Sequence, residues 1–372
     1  MVSDAGSIHT KRWVSSLVAK GVDVALFSIT PVSDDFYEKT GCRCYSMDLF
    51  DYKGKTFGAV RGLLGHFDAV RFLKRVISLE KPDILHAHYA TSYALVAALT
   101  GFHPFIVSVW GSDVYEFPYK SRTNAFAVRY ILSRADKVLS TSSRMAVQTS
   151  LFYDGDIEIT PFGVDTDLFC RAKKTPSAVS GKSSDDAFVF GTVKTLSGKY
   201  GIDILLRAFA RLQEMLSGDE RRTRLEISGK GKDREKLESM AAELGIADKV
   251  AFRGFVPHEM LPEVFSRLDV AVFLSREESF GVAAVEAMSC SCPVVVSDAD
   301  GFTEVVENGV SGLIVPREDY DAAARAMLRL MNDSKLRENL GNNARLRVEK
   351  YYRWEDNVMT MKNIYEKVIR ES

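Results

Sequence analysis

Short apolar runs separated by helical patterns recur along almost the whole 372-residue chain, and that alternation restricts its fold more than any other feature. In the first half the runs are VDVALFSI (22–29), PDILHAH (82–88), FIVSVW (105–110), KVLST (137–141) and IEIT (157–160). Between them stand stretches such as HTKRWVSSLVAK, with apolar residues at helical spacing. Apolar runs of four to eight residues repeated between helices are how a parallel sheet covered on both faces reads. From 171 to 187 the rhythm stops, because RAKKTPSAVSGKSSDDA is polar, rich in Ser, Lys and Pro, and has no apolar period. Such a stretch reads as a linker. The rhythm restarts with FVFGTV (188–193), RLEISG (224–229), KVAFRG (249–254), DVAVFLS (269–275), PVVVSD (293–298) and GLIVP (312–316).

The fold class expected is therefore α/β, with two doubly wound domains in tandem. The expected boundaries are 1–168 for the first domain, 169–187 for the linker, 188–352 for the second domain and 353–372 for a closing helix. A chain of this length exceeds one ordinary core, which agrees with two domains. MVSDAGSIHTKRW reads as the end of a short strand followed by a loop and a helix, and the first strand looks clipped.

Composition excludes several classes. Apolar residues make up 46% and charged residues 27%, as in ordinary globular proteins. Up to Leu168 there are 18 basic and 18 acidic residues, and beyond it 31 and 32. Neither half is a basic polymer-binding surface, so nucleic acid is not an expected partner. The five cysteines, Cys42, Cys44, Cys170, Cys290 and Cys292, lack the paired spacing of a zinc site. Free thiols suit a reducing compartment, and there is neither a signal-peptide core nor a membrane span, so a cytoplasmic location is expected.

In open parallel sheets, ligands sit beyond the carboxyl ends of the strands. The residues there are HAH, WGSD, FGVD, VKTLSGKYG, SGKGK, RGFV and REESFG. Lys194 and Lys199 lie on a strand-to-helix loop, where two ammonium groups beside a helix N-terminus suit a diphosphate. Read alone they are equally two solvated loop lysines. Gly229 and Gly231 let the backbone approach a ligand, or simply make a tight turn. Glu286 stands among Val282, Ala283, Ala284, Val285, Ala287 and Met288, where an unpaired carboxylate is costly. It grips a ribose diol, or pairs with a buried Lys or Arg. His86 and His88 end one strand, and Asp113 either faces a ligand or caps the next helix. The short acidic pairs in DTD and DAD are turn-like, and no metal is expected.

These residues together resemble the retaining glycosyltransferases of family four, which have a two-Rossmann (GT-B) architecture. The resemblance spans essentially the whole chain. Its strongest element is Glu278, seven residues, Glu286, followed by AMSCSCPVVVSDADGFTEVVENGVSGLIVP. GVDTDLF, VKTLSGKYGID, ISGKGKDREKLE and FRGFVPHEMLPEVFSRLDVAVFLS also fit. The resemblance implies that the second domain holds a nucleotide-diphosphate sugar as substrate, with no cofactor. Lys194, Lys199 and Gly229 would line the diphosphate, with Ser279, Phe280 and Gly281 presenting amides. Glu278 would contact the donor sugar, Glu286 the ribose, and the backbone at Phe255 and Val256 the base. Glu278, Lys194 and Lys199 would be catalytic. Ser7, His9, His88 and Asp113 would face the acceptor, and the last helix would cross back onto the first domain.

Three departures stand out. Trp110 occupies a position where many members have His, so no catalytic role is carried to it. The Gly-Gly pair of the first loop is replaced by DAGSIHT, and MSCSCP places Ser291 where a glycine is usual. The expected chemistry is front-face attack by an acceptor hydroxyl, with lysines and helix amides stabilising the departing diphosphate and domain closure excluding water. The setting expected is bacterial surface polysaccharide or lipid-linked glycan synthesis. Competing readings on the same architecture are a sugar-nucleotide epimerase, a phosphorylase or a non-catalytic nucleotide-sugar binder. FGAVRGLLGHFDAVRFLKRVISLE also has the basic, amphipathic pattern of a helix lying on the inner face of a membrane. Core packing with a solvated rim is the better reading of it.

Overall fold

The computed structural model describes residues 1–32, 34–47, 59–171, 187–219 and 221–372, with only the helical backbone for 59–65. Most of the expected linker, 172–186, lies outside the described residues. The chain divides into two compact units: Met1–Pro161 with Asp356–Ser372, and Phe162–Glu355.

Unit one runs α1 (Ile8–Ala19), β1 (Ala25–Ser28), α2 (Phe36–Lys39), β2 (Arg43–Ser46), α3 (Ala59–Glu80), β3 (Leu85–His88), α4 (Ser92–Ala98), β4 (Phe105–Val109), α5 (Ser112–Tyr115), α6 (Arg122–Ser133), β5 (Lys137–Ser140), α7 (Ser143–Thr149) and β6 (Ile157–Ile159). The strands pair in parallel as β2-β1 and as β3-β4-β5-β6. Val2 joins the two groups, since it bridges Phe27 on one side and Ala87 on the other. Its amide donates to the His86 carbonyl at 2.8 Å, and its carbonyl accepts from the His88 amide at 3.0 Å. The strands are buried on both faces because helices cover both: Phe105, Val107 and Val109 on one face of β4 and Ile106 on the other are all buried.

On α3, Ala69, Leu73 and Val76 are buried in the core of this unit, while Arg71, Lys74 and Arg75 are exposed. The described part of this helix thus packs one face into the core, while Phe67 and Leu79 stand exposed on its rim with the cations.

Unit two runs β7 (Phe188–Val193), α8 (Ile202–Met215), β8 (Thr223–Ser228), α9 (Arg234–Glu243), β9 (Val250–Gly254), α10 (Leu261–Arg267), β10 (Val270–Phe273), α11 (Val282–Ser289), β11 (Val294–Ser297), α12 (Asp300–Val305), β12 (Leu313–Val315), α13 (Tyr320–Asn332) and α14 (Ser334–Tyr351). The six strands are parallel in the order β12-β11-β10-β7-β8-β9. Ile202, Leu205, Phe209 and Leu212 recur every three or four residues on α8, and all are buried. That spacing presses one helix face onto the sheet. Residues 162–168, expected in the first domain, belong to this unit. Val164 forms a parallel bridge to Arg353, and Phe162 packs edge-on against Phe280. These pairings are non-local, so the apolar rhythm could not reveal them.

The final helix, α15 (Trp354–Glu371), starts at the end of unit two, and from Asp356 onward it belongs to unit one. Its Tyr365 hydroxyl meets His86 Nδ1 at 2.6 Å, and Lys362 Nζ donates to the Lys20 carbonyl at 3.0 Å. Among the described residues no helix is long and apolar enough to cross a membrane.

Candidate active site

In unit two the loop after β7 carries Lys194 and Lys199, the loop after β8 carries Gly229, and the loop after β10 carries Glu278. All three leave the carboxyl end of one sheet. Lys194 Nζ lies 2.5 Å from Glu278 Oε2 and 4.6 Å from the centroid of the Tyr200 ring. Ser275 Oγ donates to the same carboxylate oxygen at 3.4 Å. Lys194 and Glu278 are mostly buried, so each restrains the other's position. The Gly229 amide donates to the Gly254 carbonyl at 2.6 Å. Gly229 sits at φ 141°, and a Cβ there would fall 1.9 Å from the Lys194 carbonyl oxygen. Only glycine lets these two loops meet.

Lys199 lies 3.5 Å from Glu277. Its loop is held by Arg276, which sequence reasoning missed. The Arg276 backbone amide donates to the Lys199 carbonyl at 2.9 Å, and its guanidinium donates to the Gly198 carbonyl at 2.5 Å. The same guanidinium forks onto both Asp203 oxygens at 2.8 Å each and also pairs with Glu318. Gly201 closes the loop at φ 62°, where a Cβ would sit 1.9 Å from the Leu274 carbonyl oxygen.

Ser279, Phe280 and Gly281 form the bend before α11, with Gly281 as its N-cap residue. The Phe280 ring is buried against Phe162 and Tyr352. Glu286 is 3% exposed inside α11. Its hydrogen-bond partner is neither Lys nor Arg, but His258, whose Nε2 lies 2.8 Å from Oε1. His258 stands two residues beyond Val256 in the loop after β9 and packs on Phe169 at 5.0 Å. Its place at a strand end was the available signal for it. Phe255 is exposed, with Lys230 Nζ 4.9 Å from its ring.

In unit one, a cluster forms beyond β3 and β4. His88 and Trp110 stack with centroids 4.5 Å apart, His9 meets Trp110 edge-on at 5.9 Å, and His86 meets His88 at 4.5 Å. Burial drives the His86 imidazole down to about 3 and the His88 imidazole well below the usual range, so both are neutral. His86 Nε2 is satisfied by Ser108 Oγ at 2.8 Å, whereas His88 Nδ1 is buried with no hydrogen-bond partner among the described residues. Asp113 is fully buried inside the first turn of α5. It accepts from the amides of Ala90 at 2.8 Å, Gly111 at 2.7 Å and Trp110 at 3.2 Å. Burial pushes its carboxyl upward against the pull of these amides. Asp113 thus ties the loop after β3 to the loop after β4. Ser7 precedes α1 as its N-cap residue, two residues before His9.

Two units, each an open parallel sheet with polar loops at its carboxyl ends, make up the GT-B architecture. Residues 174–347 match the family described as glycosyl transferases group 1, and residues 1–142 match glycosyl transferase 4-like. The chain is 37% identical to the D-inositol 3-phosphate glycosyltransferase of Stackebrandtia nassauensis, over 92% of this chain and 82% of that protein. Sucrose-phosphate synthase from Thermosynechococcus elongatus superposes with a TM-score of 0.81 at 21% identity, covering 100% and 96% of the two chains. Anabaena HepE in complex with UDP-glucose superposes with a TM-score of 0.75 at 19% identity over 100% of both chains. The chain belongs to glycosyltransferase family four, the retaining nucleotide-sugar glycosyltransferases. The epimerase, phosphorylase and non-catalytic readings give way to that assignment.

Proposed function

We propose that this transferase moves a hexose-type sugar from a nucleotide-diphosphate donor held by unit two. Lys194, Lys199, Gly229 and the amides around Ser279, Phe280 and Gly281 bind the diphosphate, Glu278 the sugar, Glu286 the ribose, and the backbone at Phe255 and Val256 the base. Glu286 carries this reading, as a buried carboxylate in an apolar helix whose protein partner is a histidine rather than a permanent cation. A carboxylate in such surroundings needs further hydrogen-bond donors, and a sugar diol supplies two. His258 then acts as a positioning residue for Glu286.

Glu278, Lys194 and Lys199 form the catalytic set. As the bond between sugar and diphosphate breaks, negative charge grows on the leaving oxygen, and the two lysines stabilise it. No second carboxylate is assigned as nucleophile. The acceptor hydroxyl attacks from the leaving-group face and passes its proton to the departing phosphate, which retains configuration. Ser7, His9, His88 and Asp113 serve the acceptor side, Asp113 by fixing the backbone of two loops. A glycan or lipid-linked hydroxyl acceptor in bacterial surface polysaccharide synthesis suits this family. The UDP-glucose bound in the HepE complex makes UDP-hexoses the first donors to try.

The test is a thermal-shift screen of UDP-, GDP- and ADP-sugars, followed by calorimetry on Glu286→Gln and Lys199→Ala. Stabilisation by one nucleotide class, weakened at least about tenfold in both variants with folding intact, is expected for lost hydrogen bonds to charged groups. Wild-type affinity in both variants removes the assignment.

A further inference from the structure

We infer that the face of unit one formed by α6, α7 and the 3₁₀ turn Phe117–Lys120 docks on an anionic lipid surface. This face is distinct from α3, where Ala69, Leu73 and Val76 are core and only Phe67 and Leu79, far apart along the helix, are exposed among the described large apolar residues. Phe126 is 71% exposed, Val147 69% and Tyr119 62%, which is unusual for three large apolar side chains on neighbouring elements. Leu151 is exposed beside them.

Helix geometry aligns these residues with cations. On α6, Arg122, Phe126 and Arg129 follow at four and three residues, opposite buried Val128, Ile131 and Leu132. Arg144, Val147 and Leu151 follow at three and four residues along α7 and the turn beyond it. The stripes adjoin, because Arg129 donates to the Leu151 carbonyl at 2.8 Å and stacks 5.3 Å over Phe152. Tyr119 joins them through a 2.8 Å hydrogen bond from Gln148 and an edge contact of 5.9 Å with Phe152.

The charge is one-sided. Between Phe117 and Tyr153 there are six Lys and Arg residues, of which Lys137 is paired with Glu158, and a single acid, Asp136, which is paired with His103; Glu116 and Asp154 flank the segment. Exposed aromatic and aliphatic side chains interleaved with cations fit the interface of an anionic bilayer, where rings enter the headgroup region and each cation adds about fivefold to partitioning. An acidic protein would be served by the cations alone. Gln148 also donates to the Val114 carbonyl of α5 at 3.0 Å, so this face abuts the helix that holds Asp113. A bilayer here delivers a lipid-linked hydroxyl to that end of the sheet, a consequence that rests on the acceptor reading above. The surface itself stands on exposure and charge.

The experiment is co-sedimentation of the full chain with vesicles of phosphatidylcholine alone and of phosphatidylcholine with phosphatidylglycerol, at low and high salt. Binding only to the phosphatidylglycerol vesicles, weakened by salt, is expected. Phe126→Ser with Val147→Ser, and Lys120→Glu with Arg122→Glu, should each cut it at least about tenfold while the donor-induced thermal shift stays as in wild type. Absence of vesicle binding, wild-type binding by both double variants, or retention by a polyglutamate column without vesicle binding overturns the proposal. Failure here with an intact donor shift leaves the donor reading standing.

Discussion

Replacing Arg276 by Gln removes one guanidinium that serves Asp203, Glu318 and the Gly198 carbonyl together. The side chains of Arg276 and Asp203 are 32% and 30% exposed, and that of Glu318 is 59% exposed. A fully buried charged hydrogen bond is worth roughly 1.5–3 kcal/mol, but exposure of this order brings an ion pair toward roughly 0.5–1 kcal/mol. The fork onto Asp203 is the better-protected half, so the expected cost is about 1–2 kcal/mol, with a fall in Tm of roughly 3–8 °C. Lysine rescues little, since a point charge cannot fork onto Asp203 and reach Gly198 at once. The functional effect exceeds the stability effect, because the loop freed is the one that bears Lys199. Calorimetry with the nucleoside diphosphate selected by the donor screen should show about tenfold weaker binding, while the matching monophosphate changes less than about threefold, on the scale of one lost charged contact. Lys199→Ala run in parallel separates the outcomes. If Lys199→Ala weakens the diphosphate and Arg276→Gln does not, despite its lower Tm, Arg276 is a fold staple and the positioning argument fails.

Acid should loosen unit one first. His86 titrates near 3 in the folded protein and near 6.5 when unfolded, so between those values the unfolded chain holds a proton the folded chain lacks. Stability therefore falls as pH drops below about 6.5, by about 1.4 kcal/mol per unit for His86, and His88 acts in the same direction. Urea unfolding followed by tryptophan fluorescence should lose about 2–4 kcal/mol from pH 7 to 5, and a flat profile refutes the buried neutral pair. Gly201→Ala should cost about 2–3 kcal/mol from its left-handed backbone and the clash with the Leu274 carbonyl, with loss of transfer. Wild-type Tm and activity would refute that account.

Much of the fold was legible because apolar runs and helix periods are local properties. Each of the six runs predicted after the linker became a strand, and the loop bearing Lys194 and Lys199 does lead from a strand into a helix, α8. What escaped was non-local. Val164 pairs with Arg353, far along the chain, so the unit boundary moved ahead of the polar stretch. The lysines, Glu278 and Glu286 were visible as types at strand ends, and the sheet brings Lys194 and Glu278 together. Arg276 and His258 were not singled out, because an arginine or histidine in a polar loop looks ordinary until its partners are known. Asp113 showed a similar limit, since its choice of three backbone amides depends on where two loops fold.

The last helix has a consequence for how the molecule is made. Val358, Met361 and Ile364 are buried, and Tyr365 closes on His86, yet these residues leave the ribosome only after the whole of unit two. Unit two is one uninterrupted stretch of chain, whereas unit one consists of the opening residues and the closing seventeen-residue segment Asp356–Ser372. The half translated first is thus the half completed last. Premature termination anywhere before Asp356 would leave that early half without its sealing piece, even where the middle of the chain had already folded.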